Sequence, residues 1–425
     1  MDAKTRVQFY PLLKRQEGDE VMVGRPEINA FIYLPPEGVA LIELLEQGKT
    51  IEETQAAFAE RYGEVPDVAD LITGLNECGF VARIIENGDA AAEEVPAPAP
   101  AQSPQPAAGG HFAWITQRAA AAFFSRPMLV LFGAYILGAF VITLVRPTLF
   151  PRGADQYFLN VSIVVSVLSL TVYGWAHMFI HEFFHLLAAR SAGVPARLTI
   201  GRRMMTPVAL TDMSGIYAAA PEQRYLPYLA GMLFDLLAMA TFVYLLAFSD
   251  WGYFAMPALV YTFLKAILAR VAMAFTFQFR LPLRTDLYYV LTNWLRARNL
   301  QDDTLGFLRN LWDRLLGRRP GHDLSTVPKR EMWMVRMYAP ILVAGLGLYW
   351  FFYVYFTIPF LVKTFPVAFR QVAGGWSANP LGFADGLVFL AMMGLEWGWL
   401  LYVTVRDRRA ARTRPMVAGG AAVGD

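Results

Sequence analysis

A chain of 425 residues that is 56% hydrophobic and 17% charged is too apolar for an ordinary soluble domain, of which about a quarter is charged. Its formal net charge of +2 is too small to argue for nucleic acid, and one cysteine, Cys78, excludes an intramolecular disulfide and a cysteine-rich metal cluster. The opening stretch "MDAKTRVQFYPLLKRQEGDE" lacks the apolar core of a signal peptide, so what precedes the first membrane span is expected in the cytoplasm.

Residues 1–87 read as a small α+β domain. "TRVQFYPL" and "INAFIYLP" are strand-like, and "GVALIELLEQG" is a short helix closed by Gly48. A capping box from Thr50 to Glu53 opens the helix in "TIEETQAAFAERYG", which ends at Gly63. Asp67 caps a third helix, with Leu71 and Leu75 on one face and Gly79 as its stop, and "FVARII" is a last strand. This is a winged-helix-like layout. Its acids, Glu43, Glu46, Glu52, Glu53, Glu60 and Glu64 among them, and its lack of an Arg/Lys recognition stripe argue against nucleic acid. Residues 88–110 are Pro/Ala-rich and poor in bulky apolar side chains, which predicts a semi-extended tether.

Residues 111–412 are predicted to form an α-helical polytopic membrane domain, with a disordered tail over 413–425. Six stretches, about 128–145, 158–180, 226–248, 254–276, 338–360 and 384–404, reach the roughly 18–20 residues that cross a bilayer. Arg118, Arg126, Arg190, Arg197, Arg202, Arg203, Arg224, Arg280, Arg284, the basic 296–336 segment and "RDRRAARTR" fall on one side. Arg146, Arg152, Lys363 and Arg370 fall on the other. By the positive-inside rule the first side is cytoplasmic, and six spans place both termini there. Residues 302–316, "DDTLGFLRNLWDRLL", form an amphipathic helix with Leu308, Leu311, Trp312 and Leu315 on one side. It is expected in the cytoplasmic interface, or packed on another part of the protein.

The chemistry gathers in "AHMFIHEFFHLL", residues 176–187, which matches HExxH at His181-Glu182-Phe183-Phe184-His185. On a helix, positions i and i+4 share a face, so both imidazoles can reach one zinc ion at about 2 Å. Glu182 is turned by about 100° and can reach a water on the metal without ligating it, as a general base. Three of the chain's five histidines (His177, His181 and His185) lie in this stretch, and a charged glutamate near a span needs a reason to be there. The competing explanation is a buried histidine pair that serves helix packing. A catalytic zinc needs a third protein ligand. His177 is collinear with the other two over about 12 Å of helix and is better read as a supporting or packing residue. Carboxylates remain: Asp286 after the fourth span is favoured, Asp235 in "GMLFDLLAMAT" comes next, and Asp212 and Glu222 lie in the loop after the histidine helix. That loop, "ARLTIGRRMMTPVALTDMSGIY", suits a hairpin or re-entrant element whose edge can pair with an unwound substrate strand, or a plain cytoplasmic loop.

"HEFFH" in a span, "AGVPARLTIGRRMMTPVALTDMSGIY", "RYLPYLAGMLFDLL" and "LPLRTDLYYVL" together resemble the site-2 protease type of intramembrane zinc metallopeptidase. The nearer likeness is to bacterial peptide zinc metalloproteases that carry a PqqD-like domain in front. "RPEINAFIYLPPEGVALIELLEQGKTIEETQAAFAERYG", ending in "LNECGFV", is similar to that domain, which in peptide-maturation systems grips the leader of a ribosomally made precursor. The resemblance covers residues 1–87 and 157–300. It implies Zn2+ as cofactor, His181, His185 and Asp286 as ligands, and Glu182 as base. It also implies a multi-pass protein of the bacterial cytoplasmic membrane. The sequence departs from the family's second motif: Leu287 stands where glycine is expected, and no asparagine precedes Pro282, with Gln278 or Asn293 as possible substitutes.

The expected function is therefore an intramembrane zinc endopeptidase cutting a precursor peptide delivered by the N-terminal domain, with peptide-modifying or export proteins as possible partners. Two alternatives stand beside it: regulated cleavage of a membrane-bound regulator, and a catalytically silent membrane adaptor of peptide export. A diiron oxidase or desaturase, which needs about eight histidines in several clusters, is excluded by the five present.

Overall fold

The computed structural model describes residues 1–86, 112, 114–151, 162–203, 206–297, 299–325 and 327–413. The predicted tether, the first residues of the predicted second span and the tail beyond residue 413 lie outside the described residues.

The N-terminal region is built from β1 (Arg6–Phe9), β2 (Leu13–Glu17), β3 (Glu20–Arg25), β4 (Ala30–Leu34), α1 (Pro36–Glu46), α2 (Ile51–Tyr62), α3 (Val68–Glu77) and β5 (Val81–Ile85). β1 pairs antiparallel with β5, and β2, β3 and β4 form an antiparallel meander. The Thr50 capping box closes in both directions, with Glu53 N–H donating to Thr50 Oγ1 at 3.2 Å and Thr50 N–H to the Glu53 carboxylate at 2.9 Å. Asp67 caps α3 through the Asp70 N–H. The β2–β3 hairpin was not expected. Its first strand, "LKRQE", is too polar to show a two-residue period, and Gly18 takes the left-handed conformation (φ 74°) that its tight turn requires. Val23, Ile42, Leu45, Val68, Ile72, Phe80 and Val81 are fully buried between the strands and the three helices.

Six helices among the described residues are long and apolar enough to cross a membrane. The first is α4 (Gln117–Phe123) continued by α5 (Arg126–Val145), and the second is α6 (Ile163–Ser191). A hairpin of β6 (Arg197–Arg203) and β7 (Thr206–Asp212) precedes α7 (Pro221–Asp250) and α8 (Ala258–Phe277). After α9 (Asp286–Leu295) and α10 (Leu300–Leu315), α11 (Lys329–Phe352) continues through a π-helical stretch into α12 (Ile358–Ala373), and α13 (Pro380–Thr413) completes the set. The number of spans agrees with the hydropathy reading, but α6 runs eleven residues past the predicted end at 180 because Leu186, Ala188 and Ala189 are fully buried there. α7 is the central span, in contact with α5, α6, α8 and α9. α10 packs on α11 through Leu300, Leu305 and Leu308, while Leu311, Trp312 and Leu315 remain exposed on the other side. Its packing on α11 agrees with one of the two sequence expectations for this helix.

Candidate metal centre

His177, His181 and His185 line one stripe of α6 and face α7, buried to 6%, 8% and 2% exposure. The two helices approach closely because α7 carries Ala230 and Gly231 at the crossing. Gly231 has no room for anything larger: a Cβ there would overlap Nε2 of both His181 and His185.

Asp286 arrives from a different part of the chain. The turn after α8 places Arg284 in the left-handed region (φ 51°), and α9 starts at Asp286, where a carboxylate suits the positive end of the helix. Gln278 holds this start from behind, its Oε1 accepting the Asp286 N–H at 3.1 Å and its carbonyl the Thr285 hydroxyl at 2.6 Å. Asn293 ties α9 to α7 by donating to the Pro221 carbonyl at 2.8 Å.

The result is a nearly equilateral triangle. Nε2 of His181 lies 3.1 Å from Asp286 Oδ2, Nε2 of His185 lies 3.2 Å from the same oxygen, and the two Nε2 atoms are 3.2 Å apart. Among the described residues this is the one group of three potential metal ligands with atoms so close together. The opposite side of each ring decides the tautomer. His185 Nδ1–H donates to the Pro227 carbonyl at 2.7 Å, and His181 Nδ1–H donates to Asp235 Oδ1 at 3.0 Å. With both protons committed there, both Nε2 atoms present lone pairs to a carboxylate oxygen. Three acceptors facing one another at this distance are placed to hold a cation between them. Ligands of a tetrahedral zinc, with bonds of about 2.0–2.1 Å, are roughly 3.3 Å apart, so the donor set fits that ion.

Asp235 is not a member of the triangle. It is fully buried and accepts from both His181 Nδ1 and His177 Nε2 (2.8 Å) through the same Oδ1, while the Tyr173 hydroxyl donates to His177 Nδ1 at 3.3 Å. A relay of Tyr173, His177 and Asp235 thus orients His181, which agrees with the supporting role read for His177. Asp212 is bound by Arg197 at 2.9 Å, and Glu222 lies 74% exposed near Arg296. Neither joins the triangle.

Glu182 is not one of the three, and its carboxylate reaches the hairpin. Its Oε2 accepts the Thr211 N–H at 2.8 Å, and its backbone carbonyl accepts the Thr211 hydroxyl at 2.6 Å. β7 pairs with β6 in a two-stranded sheet, so Glu182 meets its outer edge. The flanking Phe183 and Phe184 pack against Phe112, Phe123, Phe124 and Phe234, which keeps the motif's other face apolar. Sequence reasoning missed Gly231 and did not resolve what Asp235 does. The small pair Ala230-Gly231 beside an intramembrane aspartate was the available signal.

No protein-family model matches the chain, and no curated protein or solved structure matches it either.

Proposed function

We propose that this chain is an intramembrane zinc endopeptidase of the site-2 protease type, held in a bacterial cytoplasmic membrane with both termini in the cytoplasm. The observation that carries the proposal is the triangle of His181, His185 and Asp286, with both imidazoles turned by their Nδ1 partners so that lone pairs converge. That Asp286 reaches the histidines despite Leu287 in the following position supports the peptidase over a silent adaptor.

A bound zinc would polarise a peptide carbonyl and lower the pKa of a water to about 7. Glu182, one residue from a ligand and outside the triangle, takes the proton of the attacking water and returns it to the leaving amine. The β6–β7 hairpin is tied to Glu182 through the Thr211 N–H, and its two-stranded sheet has an edge strand, β6, on which a peptide can lie as an added strand. A helix must unwind before its carbonyl can be attacked, and an extended template favours the unwound form. The substrate we propose is a ribosomally made precursor peptide brought by the N-terminal domain, on the strength of that domain's sequence resemblance to PqqD-like domains.

The test is metal content together with cleavage of a mixed peptide pool read by mass spectrometry, in detergent-purified protein. About one zinc per chain is expected in wild type and in Glu182→Ala, with cleavage by Glu182→Ala reduced at least about 100-fold. Equal cleavage by Glu182→Ala would reject the mechanism. Absence of zinc from wild type after reconstitution would move the assignment to the adaptor.

A further inference from the structure

The segment between residues 211 and 227 grips the HExxH helix at two points. At one end Thr211 binds Glu182, and at the other the Pro227 carbonyl binds His185. Its middle is held by the N-terminal domain. Arg224, 3% exposed, forms a two-point ion pair with Glu17 at the end of β2, in which Nη1 lies 3.1 Å from Oε2. The same guanidinium donates to the Ala219 and Tyr217 carbonyls at 2.9 Å each. Glu17 is itself 8% exposed and also accepts the Tyr33 hydroxyl at 3.1 Å. Arg15 donates to the Ala218 carbonyl at 2.6 Å, and the Phe31 ring packs on Tyr217 with centroids 6.2 Å apart.

These contacts are unlike the weak ion pairs of a surface. Both charges are buried, the geometry is bidentate, and two further guanidinium hydrogens are satisfied by backbone carbonyls. Such a pair is costly to assemble and more costly to break on one side, because the survivor stays buried without its partner. It also joins residues 207 positions apart, across the stretch that contains the predicted tether.

We propose that the docked N-terminal domain is a positioning element of the metal centre: through Glu17 and Arg224 it clamps residues 211–227 and so holds both Glu182 and His185 in place. The proposal rests on the peptidase reading for the roles of those two residues. Glu17 is the positioning residue, acting through Arg224 and touching neither metal nor substrate. A peptide that loads onto the domain and shifts β2 would be felt at the base and at one ligand together, which couples delivery to readiness of the site.

Hydrogen–deuterium exchange on the full detergent-purified chain tests this without a known substrate and without metal. Glu17→Ala is expected to raise exchange about tenfold or more in residues 13–25, in 209–227 and at the His185 end of α6. Glu17→Gln, which keeps one acceptor for Arg224, should fall between it and wild type. Residues 163–172, at the opposite end of α6, should be unchanged, which separates release of the clamp from misfolding. Faster exchange confined to the N-terminal domain, with 209–227 as in wild type, overturns the proposal, and so does no change anywhere. Zinc measured on the same wild-type sample keeps the two readings apart. Its absence would reject the peptidase assignment, while coupled exchange would still establish the clamp.

Discussion

Gly231 costs α7 about 0.5–1 kcal/mol of helix stability relative to alanine, yet it stands where any Cβ would strike both histidine Nε2 atoms. Gly231→Ala is therefore expected to lose metal and to lower the thermal midpoint, since overpacking costs about 1–3 kcal/mol against that gain in helix propensity, measured as zinc content and melting of the same preparation. Retained zinc in that variant would mean that the triangle is not the metal site. Asp286 and Asp235 make the complementary comparison. Asp286→Ala removes a ligand and should abolish zinc binding, whereas Asp235→Ala removes the group that orients His181 and should weaken affinity roughly 10–100-fold. Competition with a graded chelator distinguishes the two. The HExxH residues were legible in the sequence because i and i+4 on one helix are neighbours whatever the tertiary fold. Gly231 and Asp235 were not, because their importance exists only where α7 crosses α6.

At the scale of elements, α6 is fastened at both ends by parts of the chain distant in sequence. Its first turn is capped from α13: Asp385 accepts the Ile163 and Val164 N–H groups at 2.9 Å each and the Ser162 hydroxyl. Loss of this cap in Asp385→Ala should cost about 1 kcal/mol, seen as a lower thermal midpoint with zinc content unchanged. Loss of zinc as well would show that the far end of α6 helps to hold the metal centre. Helix termini marked by local chemistry, such as the Thr50 capping box and the Asp67 cap, could be read from the sequence. A cap donated from α13 could not be. The β2–β3 hairpin was missed for a related reason: Glu17 and Arg15 are charged because they dock on the membrane part, and that removes the apolar alternation by which a strand is recognised.

For the whole molecule, six helices of spanning length predict that the turn after α7 and the segment after α10 face opposite sides of the membrane. In a Cys78→Ser background, Tyr253→Cys, at 76% exposure, should react with an impermeant maleimide from outside intact cells. Arg318→Cys should react only after permeabilisation. The reverse pattern would invert the orientation and place the metal centre toward the outer face. Composition, span number and the HExxH face follow from hydropathy and helical spacing, which act between near neighbours and are set by the sequence by itself. The carboxylate facing the two histidines was a ranked choice among Asp286, Asp235, Asp212 and Glu222 until the α8–α9 turn brought Asp286 against them and α7 turned Asp235 to the back of His181. The docking of the N-terminal domain through Glu17 and Arg224 was decided by the tertiary structure alone. A buried ion pair between residues so far apart depends on a bidentate, fully packed geometry that no local pattern encodes.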